Sequence, residues 1–205
     1  MTEINEKFYS LDKEKQLMII NAAMEVFSKN DYKNAVTDDI ASKAEISKGL
    51  LFHYFKNKKT LYLFIYEYVL NLVRDNIDRS EMNKITDFFD LLDYGAKIKI
   101  KLLEKNPYLL DFSLRCFYND KELISDDVNE QLTELYEDSF ELYFSNLDLS
   151  KFKRKEDVYQ IYKMSIWMSD GYMHEKRMKH EKIDVEELLL EFNKWMQIFK
   201  NNFYK

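Results

Sequence analysis

The sequence predicts an all-α protein. Only three glycines and one proline occur among 205 residues, too few for the turns that a sheet protein needs about every eight to twelve positions. Apolar residues make up 46% of the chain, and in nearly every segment they recur at about the 3.6-residue period of a helix. The chain therefore has enough suitably spaced apolar surface for a packed helical core.

This periodicity predicts about nine helices. They cover residues 12–29, 37–44, 48–54, 57–79, 85–105, 107–118, 122–147, 155–179 and 185–203. Short helices precede residue 57, and long amphipathic helices follow it. We therefore predict a small domain at 1–56 and a larger helical domain at 57–205. The helix that begins at Asn57 is expected to join them rigidly, because no linker rich in Gly, Ser or Pro separates them.

Residues 36–55 predict two short helices joined by a tight turn. Thr37 is the predicted N-cap of the first helix, and acidic residues follow in its first turn, where the helix dipole favours them. The inward face of this helix is predicted to consist of Ile40, Ala41 and Ala44. Glu45 begins the turn, and Ser47 is placed to cap the second helix. This spacing is typical of a helix-turn-helix, whose second helix enters the major groove of DNA.

The second helix of this motif carries two groups of side chains. Those predicted to anchor it on the core are Leu51, Phe52 and Phe55. Those predicted to point outward are Lys48, Leu50, His53 and Tyr54. Gly49 costs about 1 kcal/mol relative to alanine inside a helix. It suits a backbone that must approach DNA closely, although it is also compatible with a short packing helix.

The lysines around this motif form a local positive footprint on an acidic protein. Residues 41–60 contain five lysines and one glutamate, whereas the net charge of the whole chain is −6. Asn57 is a predicted N-cap, which places Lys58 and Lys59 in the first turn of the next helix. Cations there oppose the helix dipole unless an anion is bound, so a DNA phosphate is the predicted partner. A solvated lysine-rich face is the alternative.

Composition also restricts the compartment. The single cysteine, Cys116, excludes an internal disulfide and is expected to be a small buried residue. Residues 1–10 lack the basic and apolar pattern of a signal peptide. The longest apolar stretch, residues 61–73, contains Glu67 and is too short to span a bilayer. A soluble, cytoplasmic protein without a membrane segment is predicted.

The segment from Ala22 to Leu61 resembles the N-terminal signature of the TetR family of transcriptional regulators. The matching residues are Ala22–Ala23, Val26–Phe27, Tyr32, Thr37, Ile40–Ala41, Ala44, Ser47–Gly49, Phe52–Phe55, Asn57–Lys58 and Leu61. The resemblance implies DNA contacts at Thr37, Lys48, Gly49, Leu50, Phe52, His53, Tyr54 and Lys58. Of these, Thr37, Tyr54 and Lys58 are expected to hold phosphates, and Lys48, Gly49, Leu50 and His53 to lie nearest the base edges.

Two residues depart from the family pattern. Glu45 stands in the turn where relatives usually have glycine, and Asp31 replaces a frequent glycine before Tyr32. If the backbone at Glu45 is left-handed, the side chain adds strain and brings a negative charge near the DNA. Both departures concern affinity and turn geometry.

The resemblance implies that the domain at 1–56 binds DNA and that the domain at 57–205 binds an effector and dimerises. It also implies a homodimer formed by the last two long helices. Leu188, Phe192, Trp195, Phe199 and Phe203 form an apolar stripe on the last helix. The predicted interface residues are Ser165, Ser169, Tyr172, Leu188, Phe192, Trp195 and Phe199. Such a dimer would place two recognition helices about 34–36 Å apart, one turn of DNA. The alternative is that the stripe belongs to the core of its own chain.

A ligand cavity among the middle helices is also implied by the family. The candidate lining residues are Phe88, Phe112, Arg115, Cys116, Tyr136, Phe140, Tyr162 and Trp167. Each of them is also compatible with plain core packing. Arg115 either pairs with Asp111 one turn earlier or meets an anionic ligand. The aromatic interior favours a hydrophobic or aromatic effector, and no cofactor or metal is expected.

The resulting hypothesis is a homodimeric repressor that binds a palindromic operator and is released by a ligand. The alternative is a DNA-binding regulator without a small-molecule effector, controlled by a protein partner or acting as an activator. A small helical enzyme is a remote alternative, because Cys116 has only His53, His174 and His180 as possible catalytic partners. No catalytic or phosphate-binding sequence motif supports it.

Overall fold

The computed structural model describes residues 4–118 and 144–205. Within them the helices are α1 (Glu6–Tyr9), α2 (Lys13–Lys29), α3 (Thr37–Lys43), α4 (Lys48–Phe55), α5 (Lys58–Asp75), α6 (Arg79–Met82), α7 (Phe88–Lys105), α8 (Leu109–Tyr118), α9 (Val158–Met178) and α10 (Val185–Phe203). Two 3-10 turns, Leu149–Lys151 and Lys155–Asp157, precede α9. The strand-like pairing among these residues is one isolated bridge between Phe152 and Tyr204. The predicted all-α class is confirmed.

Helix ends follow local capping. Asp12 caps α2 by accepting a hydrogen bond from the amide of Lys15 at 2.7 Å. The helix predicted at 57–79 ends earlier, at Asp75, because Asp78 caps the separate short helix α6. Pro107 lies in the turn before α8 rather than in its first helical turn. Most of the helix predicted at 122–147 lies outside the described residues.

Contacts divide the chain into two compact units. In the described residues, the first unit comprises 4–75 and 103–118, and the second comprises 76–102 and 144–205. The helix-turn-helix and the whole of α5 lie in the first unit, and the division falls within α7. The assignment of 1–56 to DNA binding and 57–205 to effector binding concerns function and stays a prediction.

Helix α2 forms the centre of the first unit, where it packs against α3, α5 and α8. Phe27 of α2 is fully buried. Its ring meets Tyr62 of α5 edge-on, with centroids 4.9 Å apart, and lies 6.5 Å from Phe112 of α8. Aromatic pairs of this kind add to the stabilisation from burial. This packing holds α2 in place, and α3 of the helix-turn-helix packs against α2.

The second unit has a core of its own. Its buried cluster consists of Phe88, Phe89, Phe152, Val158, Ile161, Met196 and Phe199. Asp87 precedes α7 and accepts hydrogen bonds from Lys151 at 2.8 Å and the Tyr204 hydroxyl at 3.1 Å. Burial alone would raise the pKa of the Asp87 carboxyl, but these hydrogen bonds and nearby lysines hold it below its ordinary value. The ionised carboxylate thereby ties the start of α7 to the end of the chain.

Candidate DNA-binding site

A four-residue turn joins α3 to α4. Glu45 has a φ of 53°, so the backbone there is left-handed. Its amide donates to the Ser42 carbonyl at 3.1 Å, and the amide of Ile46 donates to the Ala41 carbonyl at 3.0 Å. This pair of bonds is the Schellman motif, whose left-handed residue is usually glycine. Here a glutamate occupies the left-handed position.

The inward side of the motif is buried as predicted except at Phe52, which is half-buried. Ile40, Ala41, Ala44, Leu51 and Phe55 all have 3% or less of their surface exposed. Ser47 caps α4 by accepting a hydrogen bond from the amide of Leu50 at 3.1 Å, which confirms the predicted cap. The predicted cap at Thr37 is wrong, because Val36 takes the N-cap position without a side-chain hydrogen bond and Thr37 is the first helical residue.

Fewer side chains of α4 are exposed than predicted. Lys48, Gly49 and His53 are exposed, and Leu50 and Phe52 are half-buried. Tyr54 is only 6% exposed, so its predicted outward orientation is wrong.

Helix α1, which the sequence analysis missed, explains the burial of Tyr54. Phe8 of α1 is fully buried and meets the Tyr54 ring edge-on at 5.9 Å. The backbone amide of Asn5 donates to the Tyr54 carbonyl at 3.0 Å, and the Asn5 side chain donates to the His53 carbonyl at 3.2 Å. These bonds satisfy carbonyl groups at the end of α4 that have no partner within the helix. The available sequence signal was a helix cap at Asn5, whose side chain accepts from the Lys7 amide.

Lys48, the first residue of α4, is paired with Asp38 in the first turn of α3. The ammonium and carboxylate lie 2.7 Å apart, and more than half of each side chain is exposed. An exposed pair of this kind contributes about 0–1 kcal/mol and is screened by salt. Lys48 can therefore leave Asp38 and bind a DNA group with little loss of free energy.

Lys58 has a structural environment that the sequence did not reveal. Its ammonium donates to the carbonyls of Lys33 at 3.2 Å and Ala35 at 3.0 Å, and it lies 4.8 Å from the centroid of the Tyr32 ring. Two of its three hydrogens are thus directed to the segment that leads into α3. The predicted cap at Asn57 is confirmed by a 2.9 Å hydrogen bond from the Thr60 amide.

Asp31 stabilises the same segment. Its carboxylate accepts hydrogen bonds from the amide of Asn34 at 2.7 Å and from the Asn34 side chain at 2.9 Å. Aspartate closes such turns through its side chain, which gives a physical reason for its replacement of glycine.

The described candidates for the ligand pocket are divided between the two units. Phe88 belongs to the core of the second unit, whereas Phe112, Arg115 and Cys116 belong to the first unit. The Arg115 side chain donates to the Ser28 carbonyl at 3.1 Å rather than to Asp111. The Cys116 sulfur lies 3.2 Å from the Tyr62 hydroxyl.

Two of the other four pocket candidates lie among the described residues. Tyr162 meets Phe144 edge-on at 5.0 Å. Trp167 is 55% exposed. Tyr136 and Phe140 lie outside the described residues.

The apolar stripe on α10 packs largely within its own chain. Phe199 is part of the buried core of the second unit, and Phe192, Trp195 and Phe203 pack against it. These contacts are intramolecular, and the role of the stripe in a dimer interface stays a prediction. Leu188 is half-buried.

The predicted interface residues of α9 lie close to this core. Ser165 is buried, and its hydroxyl donates to the Tyr162 carbonyl at 2.7 Å. Ser169 donates to the Ser165 carbonyl at 2.9 Å, and Tyr172 meets Trp195 edge-on at 6.0 Å.

Other large apolar side chains of α9 and α10 face outward. Trp167 is 55% exposed, Leu190 62% and Ile198 57%.

In the described parts of the chain, no helix has the length and hydropathy of a membrane span. Across residues 4–118 and 144–205, no three His, Cys, Asp or Glu side chains are grouped to hold a metal ion.

Comparison with known proteins supports the helix-turn-helix. Residues 19–64 match the family model for bacterial regulatory proteins of the tetR family. The chain is 25% identical over 190 residues to the HTH-type transcriptional regulator QacR of Staphylococcus aureus, covering 91% of this chain and 97% of QacR. It is 30% identical over 108 residues to the HTH-type transcriptional activator FasR of Mycolicibacterium smegmatis, 48% of this chain and 49% of FasR.

The same architecture occurs in a solved structure. The transcriptional regulator FadR from Bacillus subtilis, in complex with stearoyl-CoA, is similar with a TM-score of 0.63 at 16% identity. The similarity covers 88% of this chain and 96% of FadR. At this level of identity the comparison shows a shared fold.

Proposed function

We propose that this chain, which belongs to the TetR family of bacterial transcriptional regulators, is a homodimeric repressor that binds a palindromic operator and is released by a small-molecule effector. The observation that carries the DNA-binding part is the geometry of α3 and α4. A Schellman turn and two buried inner faces hold α4 so that Lys48, Gly49 and His53 are exposed together. A helix presented in this way fits the major groove of DNA.

The residues of the site take two kinds of role in this proposal. Lys48, Gly49, Leu50 and His53 read base edges, and Phe52 packs beside them. Thr37, at the start of α3, holds a phosphate through its hydroxyl and the helix N-terminus. The buried Tyr54 positions α4, and Lys58, bound to backbone carbonyls, positions α3. Any phosphate contact of these two residues is made by their atoms that remain exposed.

Dimerisation is supported by the exposed apolar residues of α9 and α10. Trp167, Leu190 and Ile198 are each more than half exposed. Clustered exposed apolar side chains mark interaction surfaces. We propose that this surface, rather than the inward stripe of α10, forms the centre of the interface, with Ser169, Tyr172 and Leu188 at its edge.

The effector part of the proposal is supported by a relative's ligand. FadR of B. subtilis has the same fold and was determined with stearoyl-CoA, which is consistent with a hydrophobic effector here. An effector that binds one arrangement of the recognition helices more tightly shifts the population away from the operator-bound form. An activator is the second candidate, because FasR is described as an activator. A regulator of this kind acts in the cytoplasm and is not an enzyme.

Selection of genomic DNA tests the proposal. Purified protein is mixed with fragments of its own genome at near-physiological salt, and retained fragments are sequenced. We expect a palindromic site close to the gene of this protein. The double variant Lys48→Met, His53→Ala should lose the site, because both side chains are exposed on α4.

The matched control is His174→Ala, which removes an exposed histidine from the second unit. It should retain the same fragments as the wild type. Weak retention without any selected sequence, or full retention by the double variant, would contradict the proposal.

A further inference from the structure

A cavity of about 300 Å³ lies between α1 and one side of α5. Its lining on α5 comes from positions 64, 67, 68, 71, 72 and 75, which share one face of the helix. Tyr9, the last residue of α1, also lines it. This volume is at the lower end of the range for small-molecule sites. Every described lining residue belongs to the first unit, so that unit forms the cavity by itself.

The part of the cavity wall that α1 supplies is held in place. The side-chain amide of Gln16 on α2 is buried and donates to the carbonyls of Tyr9 at 3.2 Å and Leu11 at 2.7 Å. Phe8 is buried beside Tyr9, and its ring meets Phe64 of α5 edge-on at 5.2 Å. These contacts position the backbone of Tyr9 beside α5, so the wall is formed before a ligand binds.

The lining combines carboxylates with aromatic rings. Glu67 and Asp75 supply the carboxylates, and Tyr9, Phe64 and Tyr68 supply the rings. None of the described residues that line the cavity is Lys, Arg or His. Partial burial raises the pKa of both tyrosine hydroxyls, and the charge of Glu67 raises that of Tyr9 further. The tyrosines therefore stay neutral, and the lining as a whole attracts a cation through its carboxylates and ring faces.

The two carboxylates are placed for two separate positive charges. Glu67 and Asp75 are eight residues apart on α5, about 12 Å along the helix axis. A compact cation therefore reaches only one of them, and the pair is too widely spaced to share a metal ion. Arg74 lies 3.8 Å from Asp75, but both side chains are exposed and such a pair is weak. Leu72, between the carboxylates, offers apolar surface to a methylene chain.

We infer that this cavity binds a linear aliphatic polyamine, with one ammonium group at Glu67, another at Asp75 and the methylene groups against the rings of Tyr9 and Tyr68. An anionic ligand would be repelled by both carboxylates, and a neutral one would make no charge-assisted bond to either. The inference goes beyond the proposed function, because the site requires neither DNA nor the effector of the second unit.

Three amines of different charge and length test the inference: spermidine, putrescine and hexylamine. Their binding to the full-length protein is measured by calorimetry at near-physiological salt without DNA. We expect spermidine to bind about tenfold more tightly than hexylamine, because a second ammonium makes a charge-assisted hydrogen bond to the second carboxylate. Putrescine is too short to span both carboxylates and should also bind more weakly than spermidine.

Substitution of each carboxylate should reduce the affinity for spermidine. Glu67 is half-buried, so Glu67→Gln should weaken binding about tenfold. Asp75 is exposed, so Asp75→Asn should weaken it about threefold, because exposed charge pairs contribute less. The matched control is Glu14→Gln, which removes an exposed carboxylate from α2 in the same unit and should bind spermidine as the wild type does.

Loss of a ring separates contact with the methylene groups and ring faces from contact with the carboxylates. Tyr68→Leu should weaken spermidine and hexylamine alike, about threefold. The inference is overturned if the wild type binds hexylamine as tightly as spermidine. It is also overturned if Glu67→Gln and Asp75→Asn bind spermidine no more weakly than Glu14→Gln does, since the attraction would then belong to the acidic chain as a whole. The exposed Asp75 keeps this comparison valid even if Glu67→Gln does not fold.

Discussion

At the scale of single residues, Glu45 strains the turn of the helix-turn-helix. A left-handed residue that carries a Cβ destabilises the folded protein by about 1–2 kcal/mol. Replacement by glycine relieves this strain, but it also gives the unfolded chain more conformational freedom, which offsets part of the gain in stability. Glu45→Gly should therefore raise the free energy of unfolding by about 0.5–1 kcal/mol, seen as a higher melting temperature. Glu45→Ala removes the carboxylate but keeps the Cβ, so it should not give this gain. Equal stabilisation by both variants would show that charge, not backbone strain, is the cause.

At Gly49 we expect glycine to lower the stability of the protein and to favour DNA binding. A Cβ at this position would meet only the Ser47 hydroxyl oxygen at 3.9 Å, an ordinary contact, so the free protein does not require glycine. Gly49→Ala should raise stability by up to about 1 kcal/mol, yet weaken operator binding because the added methyl group lies between α4 and the DNA. Thermal denaturation and fluorescence anisotropy measure the two effects on one sample. Stabilisation with unchanged DNA affinity would place DNA elsewhere.

At the scale of elements, Lys58 links the start of α5 to the segment before α3. Lys58→Met removes two hydrogen bonds to backbone carbonyls and should lower stability by about 1 kcal/mol. It should weaken specific and non-specific DNA binding together, because α3 loses its support. Lys59→Met removes the neighbouring charge and serves as the control. An unchanged melting temperature with a weaker salt dependence of DNA binding would instead favour the phosphate contact expected from the sequence.

Local rules predicted most of the helices and the caps of α4 and α5, whereas distant contacts decided which faces are covered. Ser47 and Asn57 each cap a helix by accepting from the amide three positions along the chain, so sequence reasoning found both. Tyr54 is covered by Phe8, which lies far along the chain, and no local pattern signals that contact. A short helix of eight residues has too few positions for periodicity to separate its covered side from its DNA side.

The same limit affected α10. Its stripe of aromatic residues is visible in the sequence, and the period of the helix is right. Periodicity shows that one side is apolar, but it does not show whether the chain's own core or a partner covers it. The structure places Phe199 in the core, and we therefore propose an interface centred on the side of Leu190 and Ile198.

At the scale of the whole molecule, a substitution on the outward surface of α9 and α10 tests whether this surface forms the dimer interface. Ile198→Glu introduces a charge at a site that is 57% exposed in the single chain. A charge buried without a partner in an interface is strongly unfavourable, so we expect dimer dissociation to increase at least about tenfold, measured by analytical ultracentrifugation. Met178→Glu, at a residue 70% exposed at the end of α9, is the control. A dimer unaffected by Ile198→Glu would place the interface elsewhere.

The measurement that tests the DNA-binding claim most directly is affinity cleavage from α4. A DNA-cleaving iron chelate is attached at His53→Cys in a protein whose Cys116 is replaced by serine, and the cut positions on the selected operator are mapped. We expect two centres of cleavage in the major groove, about one helical turn or a small multiple of it apart. The same chelate at Lys153→Cys, on the second unit, should give no such pattern. Bound operator without cleavage from position 53, or equal cleavage from both positions, would contradict the assignment of α4 as the recognition helix.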